Sequence, residues 1–458
     1  MKRKNIKASI FYFIGNIFDK AIAFITIPIF TRLLSTADYG VVTTYLSWVS
    51  VMSVVITLSL GESVRVGITD FRNDKDAYMS SILGLGTISA VVITSLLLLI
   101  GSVFEIGISF QLVILCCLHS YAVSIINAIQ WQYVMNMNYV KRTLIQSLPN
   151  LIIVFLSIAM ISWMKVDKYM GRIMPNALIL FCLSIIYFLL YWIKGKKIFE
   201  KDYWLYALKF SLPVIFHTIS TVVLAQSDRS MIMMLRNSEE AGIYGLAYQF
   251  GSLPLVIITT SENIWIPWFT KTMKIGKEIM VKEMVKHYTV IISLICSGIM
   301  LVSPEIMRIM VTVGYYGAIN LVGPIVVGIF FLFLATVVVD VEYYEKKTKK
   351  VAVNSGIVAI VNIILNFVFI PIFGAIAATF TTLFSYLLLF ILHYLSVRKL
   401  RKDLFVIGSF ALSIMIVFIS MFVTELFNNI WLPRWGCALL ELSVLLVYGY
   451  YFMKKRGA

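Results

Sequence analysis

The chain has 458 residues, 60% of them hydrophobic and 14% charged, with a mean hydropathy of +0.91. Soluble domains average about 45–50% apolar and about 25% charged residues, so these values exclude a soluble globular chain and indicate an integral membrane protein. The formal net charge of +16 would raise nucleic acid as a partner in a soluble protein, but its distribution follows membrane topology and no nucleic acid is expected.

Apolar blocks recur at the length of about 20 residues that carries a helix across roughly 30 Å of hydrocarbon, not as the alternating ten-residue segments of a membrane barrel. The pattern predicts an all-α integral membrane protein with about fourteen spans: 8–34, 40–63, 78–101, 108–130, 142–163, 172–193, 208–230, 241–265, 288–312, 318–341, 352–370, 374–397, 403–424 and 431–452. The remaining residues are too few for an extramembrane domain. Basic residues precede the first block as in a secretory signal, but Asp19-Lys20 interrupts it and no A-x-A site follows, so a retained helix is expected. In that span Asn16, Asp19, Lys20 and Ala23 follow i, i+3, i+4, i+7 spacing and form one small polar face. Arg32 closes the span, and Glu62 and Arg65 mark the end of the second.

Residues 194–207 form a basic, aromatic connector suited to a membrane interface, and read as a linker between halves. Beyond it, span seven places His217, Thr221, Ala225 and Asp228 on one face, with Arg229 beside Asp228. Glu262 and Asp340 lie at the ends of spans eight and ten. Between spans eight and nine, Phe269, Met273, Met280 and Met284 alternate with lysines in the manner of an interfacial amphipathic helix. Pro28, Pro213, Pro254 and Pro324 offer kinks. The five cysteines all fall in apolar spans without a CxxC pair and read as buried thiols.

With the N-terminus assigned to one side, alternate loops on that side collect 30 of the 39 Lys and Arg residues. Cytoplasmic loops carry that excess, so both termini are expected in the cytoplasm. The two halves share markers: Lys7-Ala8-Ser9 and Lys209-Phe210-Ser211, Pro28 and Pro213, Tyr39-Gly40 and Tyr244-Gly245, with offsets of 202 residues at the first and 205 at the last. An even number of spans per half gives parallel repeats. The expected division is a six-helix bundle over 1–193, the linker 194–207, a second six-helix bundle over 208–397, and two further helices over 398–458.

No phosphate-cradling G-x-x-x-x-G-K-[ST], H-E-x-x-H or G-x-S-x-G motif occurs, and the four histidines are dispersed. No cofactor, metal or enzymatic chemistry is expected. The informative residues are the charges inside apolar spans, each costing about 2.5–3.5 kcal/mol at a helix centre and therefore expected to face a cavity or a partner. Lys20, Arg32, Arg65, His217 and Arg229 are candidates for binding an anionic substrate, since cations bond phosphate oxygens strongly. Asp19, Asp228, Glu262 and Asp340 are candidates for a coupling cation or proton. Plainer readings stand beside these: an interhelical ion pair for Asp19 and Lys20, a core histidine for His217, a solvated helix end for Asp228-Arg229, and snorkelling for Arg32 and Arg65.

Arg32-Leu33-Leu34-Ser35-Thr36-Ala37-Asp38-Tyr39-Gly40 after a proline-containing helix resembles the opening of Wzx-type oligosaccharide flippases. So do Lys209-Phe210-Ser211-Leu212-Pro213, Asp228-Arg229 and Gly242-Ile243-Tyr244-Gly245 in the second half. This family belongs to the multidrug/oligosaccharidyl-lipid/polysaccharide (MOP) exporter superfamily. The resemblance implies two six-helix bundles in a MATE-like V around a central cavity. It also implies flipping of polyprenyl-pyrophosphate-linked oligosaccharides across the bacterial plasma membrane for surface polysaccharide synthesis, by alternating access. The implied partners are the lipid-linked oligosaccharide, membrane lipid, and polymerase and glycosyltransferase enzymes. Alternatives are a MATE-type drug/cation antiporter, a lipid II flippase, and, from another class, a membrane polysaccharide polymerase or glycosyltransferase, against which the short external loops argue.

Overall fold

The computed structural model describes residues 21–104, 109–402 and 404–457, apart from the side chains of residues 102–104, 139, 217 and 448–457. The described residues form helices and no strand. In chain order these are α1 (Ile27–Leu33), α2 (Thr36–Val55), α3 (Leu60–Asp70), α4 (Lys75–Phe104), α5 (Phe110–Met135), α6 (Tyr139–Trp163), α7 (Lys168–Gly195), α8 (Lys201–Leu235), α9 (Ser238–Gly251), α10 (Leu253–Lys274), α11 (Glu278–Met310), α12 (Ile319–Tyr344), α13 (Thr348–Phe373), α14 (Ala375–Leu400), α15 (Gly408–Leu426) and α16 (Trp431–Gly457). Nine helices among the described residues are long and apolar enough to cross a membrane, and up to twelve spans result if each bent pair is one span. The first expected span begins, and the last ends, beyond the described side chains. The helices form two compact units, one up to Ser230 and the other from Met231 on.

The first unit is held by side chains that α3, α4 and α5 turn towards each other, among them Leu60, Val64, Tyr78, Ile82, Ile125 and Ile129. The aromatic linker docks on this unit. Trp204 Nε1 donates to the Ser81 carbonyl at 3.1 Å, Tyr206 donates to Asp70 at 2.6 Å, and Phe71 lies 4.8 Å from the Tyr203 ring and 5.0 Å from that of Tyr206. Indole and phenol groups at a helix mouth can bury their rings while keeping a polar partner, which explains their concentration in this segment. Within the linker, Lys197 donates to Glu200 at 3.2 Å, and that carboxylate holds its ammonium above the usual lysine range. The end of α7 passes so close to α4 that a Cβ on Gly195 would stand 2.2 Å from the Asp76 carbonyl oxygen. Because backbone cannot swing aside, Gly195→Ala is expected to lower the unfolding midpoint of the purified protein, with a cost of about 1–3 kcal/mol; an unchanged midpoint would show that the two helices can separate freely.

In the second unit α12 is the hub: 83% of its apolar stretch is buried, against 28% for α13. Several polar groups buried among these helices bond partners on neighbouring helices. Asn362 on α13 bonds Thr382 at 3.3 Å and Ser385 at 3.2 Å on α14, and His393 on α14 meets Glu342 on α12 at 2.5 Å. Arg434 on α16 is fully buried and grips Glu305 on α11 with both terminal nitrogens. At the helix ends Arg401 bridges Glu345 at 2.7 Å and Glu278 at 2.8 Å, which together hold its guanidinium above the ordinary arginine range.

The marker motifs occupy matching local structures in the two units. Ser35 caps α2 in a reciprocal box with Asp38, and Asn237 caps α9 by accepting from the Glu240 amide at 2.8 Å. Tyr39-Gly40 and Tyr244-Gly245 follow, buried. Each capped helix is then broken: α2 and α3 meet at 46°, α9 and α10 at 41°. Pro254 accounts for the second break, since it stands in the first turn of α10. No proline accompanies the first. There Leu58 and Ser59 adopt left-handed backbone with φ near 50°, and their amides take the Val55 and Val54 carbonyls at 2.9 Å. A 42° bend in α8 follows Pro213, whereas Pro324 lies within α12 with no bend above 40°.

Two local expectations differ from what is found. The predicted interfacial helix at 269–284 is instead the end of α10 and the start of α11, joined by a turn in which Gly276 takes φ +73°. Phe269 and Met273 before that turn are buried, Phe269 against Trp265 and Tyr344, whereas Met280 after it stays exposed. Of the cysteines, Cys117 and Cys296 are buried, but Cys182 and Cys437 sit on exposed helix faces, where a hydrocarbon surrounding is as suitable for a thiol as a protein core.

Candidate functional site

In the first unit, two arginines from different helices both act electrostatically on the buried Tyr39 of α2. Arg172, in the first turns of α7, lays its guanidinium 4.1 Å over the Phe30 ring of α1 and reaches Ser157 on α6 at 3.4 Å. Arg229, near the end of α8, donates to Ser47 on α2 at 3.3 Å and to Gln226 one turn earlier on its own helix. Ser47 also donates to Gln226 at 3.3 Å, and Thr44 donates to the Arg229 carbonyl at 3.4 Å. The buried Tyr39 lies within electrostatic reach of both guanidiniums. The Ser35 cap and the buried Tyr39 and Gly40 in the first turns of α2 fix the start of that helix, which carries Thr44 and Ser47 against α8. Both arginines are half-buried. Guanidinium forks suit the paired oxygens of a phosphate or carboxylate.

The remaining sequence candidates of this unit are placed differently. Asp228 is buried beside Arg229. Arg32 is exposed and donates to the Pro28 carbonyl of its own helix at 3.1 Å. Arg65 pairs with Glu62 at 3.1 Å and covers the Trp131 ring at 4.3 Å, at the far end of the broken span. Asp19 and Lys20 lie outside the described residues, as does the side chain of His217.

In the second unit the structure brings Glu262 and Asp340 together. Asp340 on α12 accepts from Trp265 Nε1 on α10 at 2.8 Å, one turn from Glu262, and the two carboxyls bear on each other electrostatically. Around them Ser261 and Tyr288 share a hydrogen bond of 2.6 Å, and Tyr288 stacks on Trp265 at 5.0 Å. The α9–α10 break turns α10 so that Glu262 and Trp265 address α12. Two half-buried carboxyls with hydroxyl neighbours form an arrangement that can bind a proton or a monovalent cation. Among the described residues no three His, Cys, Asp or Glu side chains converge to hold a metal ion.

Sequence reasoning missed Arg172, and with it the pairing. The signal was present: it is among the few cations assigned to the sparsely charged face, and Pro175 follows within one turn. Read alone, however, an arginine at a span end is a snorkelling anchor. The Arg434–Glu305 and Glu342–His393 pairs were also missed, their members being separated by more than 50 residues.

Apolar helices, broken spans and charges held within each unit define a multispan α-helical membrane protein. Residues 6–273 match the family described as polysaccharide biosynthesis protein. Two Haemophilus influenzae proteins are similar: Lsg locus protein 1, 22% identical over 62% of this chain and 70% of its own length, and an uncharacterized membrane protein, 23% identical over 76% and 86%. The lipid II flippase MurJ in an inward closed conformation shares the fold with a TM-score of 0.73 at 16% identity, covering 99% of this chain and all of that one. An inward-facing multidrug resistance MATE family transporter of the MOP superfamily gives 0.61 at 13% identity, over 84% and 95%. The chain belongs to the polysaccharide biosynthesis protein family, with the MOP superfamily fold that its Wzx-type motifs led one to expect.

Proposed function

We propose that the protein flips a polyprenyl-pyrophosphate-linked oligosaccharide from the inner to the outer leaflet of the bacterial plasma membrane, by alternating access, to supply surface polysaccharide synthesis. The observation that carries this reading is the Arg172–Arg229 cluster around Tyr39, inside the segment that matches the family. A glycan headgroup with two phosphates cannot enter hydrocarbon unaided, whereas its polyprenyl tail can remain there. The two half-buried guanidiniums replace part of the hydration that the pyrophosphate loses, with Lys20 and Arg32 as further cations on the first span and His217 on the seventh. Arg65, paired with Glu62, serves as a contact nearer the opposite mouth. Polymerase and glycosyltransferase enzymes would act on the two sides of this step.

Glu262 and Asp340 hold the coupling ion in this reading, with Asp228 and Asp19 as acidic neighbours of the cationic residues. Asp340→Asn keeps the Trp265 bond and removes the charge. It is expected to reduce flipping at least tenfold and to abolish its dependence on the ion gradient; retention of full gradient dependence would remove Asp340 from coupling. The same carboxyls favour one second reading, export of a cationic drug, and a multidrug resistance MATE family transporter shares the fold. Deleting the gene separates the two. Loss of the surface polymer, with lipid-linked units accumulating in the inner leaflet, supports flipping; intact polymer with raised sensitivity to cationic drugs overturns it.

A further inference from the structure

We propose that the groove where α5, α6 and α7 meet near the linker binds one anionic phospholipid, at a place separate from the Arg172–Arg229 cluster. The groove encloses about 430 Å³, a volume typical of small-molecule sites. Lys141 at the start of α6 and Lys194 at the end of α7 stand on its rim, both exposed, and none of its lining residues is acidic. Its polar lining is supplied by tyrosines: Tyr133, Tyr187 and Tyr191 line it, and Tyr191 donates to the buried Gln132. Phosphate oxygens entering there would meet two ammonium groups and phenolic hydroxyls, the donors that an anionic headgroup requires.

The walls decide between a free anion and a lipid. Leu144, Leu148 and Leu190 line the groove and stay 45–55% exposed along the outer faces of α6 and α7. They continue the cationic rim into an apolar lane, which matches an acyl chain below its phosphate. Pro149, also in the lining, lies inside α6 and removes one backbone donor from that wall. Basic pockets between spanning helices at an interface rich in Lys and Arg suit lipid phosphates.

The test is native mass spectrometry of the full chain in detergent, titrated with phosphatidylglycerol or phosphatidylcholine. The parent protein is expected to retain one phosphatidylglycerol preferentially. Lys141→Gln with Lys194→Gln should weaken that retention by about fivefold per lysine, roughly thirtyfold together, whereas Lys271→Gln with Lys274→Gln, at exposed lysines elsewhere, should leave it intact. Leu148→Trp, which fills the lane and spares both lysines, should also weaken it. Retention equal to the parent in the Lys141/Lys194 variant overturns the site. Displacement of the lipid by inorganic phosphate in the millimolar range, or full retention by the Leu148 variant, overturns the lipid assignment in favour of a free-anion site.

Discussion

Replacing Arg172 or Arg229 by alanine is expected to cut translocation of a lipid-linked oligosaccharide into inverted membrane vesicles by about ten- to a hundredfold. The magnitude follows from charge-assisted hydrogen bonds, worth about 1.5–3 kcal/mol each, with each 1.4 kcal/mol a factor of ten. Arginine-to-lysine variants separate charge from geometry. Arg172→Lys keeps the positive charge but loses the planar guanidinium that covers Phe30 at 4.1 Å. Arg229→Lys keeps the charge but loses the fork that engages Ser47 and Gln226. Both should fall between the parent and the alanine variants. Because Arg229 also ties α8 to α2, each variant needs its thermal unfolding measured beside its transport. Lost flipping with an unaltered midpoint identifies a substrate contact; a shared loss of both identifies a structural tie.

The largest effect on stability is expected at Arg434. Its side chain is fully buried while Glu305 is 20% exposed, so removing Glu305 strands a guanidinium among apolar helices. Breaking one partner of such a pair costs about 3–5 kcal/mol, whereas replacing both with apolar groups of similar size is often neutral. Glu305→Leu alone should therefore lower the unfolding midpoint strongly, and the double variant Arg434→Met with Glu305→Leu should recover most of the loss. Arg434 also donates to the backbone carbonyls of Leu301, Phe427 and Asn428. Those carbonyls lose a donor in the double variant, so recovery is expected to be incomplete. A Glu305→Leu midpoint equal to the parent would show that these carbonyls alone suffice to hold the charge.

How much of this was legible in the sequence depended on whether the signal was local. Apolar runs specify spanning helices because every backbone group in hydrocarbon must be bonded within its own segment, and the runs are read without knowing their neighbours. The two N-caps are equally local: Ser35 with Asp38, and Asn237 ahead of Glu240, announce helix starts three residues away. The α9–α10 break carries Pro254, but the α2–α3 break carries only Leu58 and Ser59 in left-handed backbone, residues whose identities give no warning. For the site, Glu262, Asp340 and Arg229 stood out singly, because a charge in an apolar run is conspicuous. Their partners did not. Trp265 and Asp340 lie 75 residues apart, and Arg229 and Ser47 lie 182 apart, so the pairings exist only once helices pack. Arg172 failed for a different reason, since its position near a span end fits an interfacial anchor as well as a buried contact. The stripe at 269–284 is not one helix because a turn at Gly276 divides it, leaving Phe269 and Met273 buried on one side and Met280 exposed on the other.

The most direct measurement is translocation in proteoliposomes containing only the purified chain and a fluorescent polyprenyl-pyrophosphate oligosaccharide, with leaflet position read by an impermeant quencher. Flipping well above protein-free vesicles, and lost when Arg172 and Arg229 are both replaced by alanine, is the expected result. Flipping no faster than in protein-free vesicles, or polymerised glycan formed by the chain itself, would contradict the assignment.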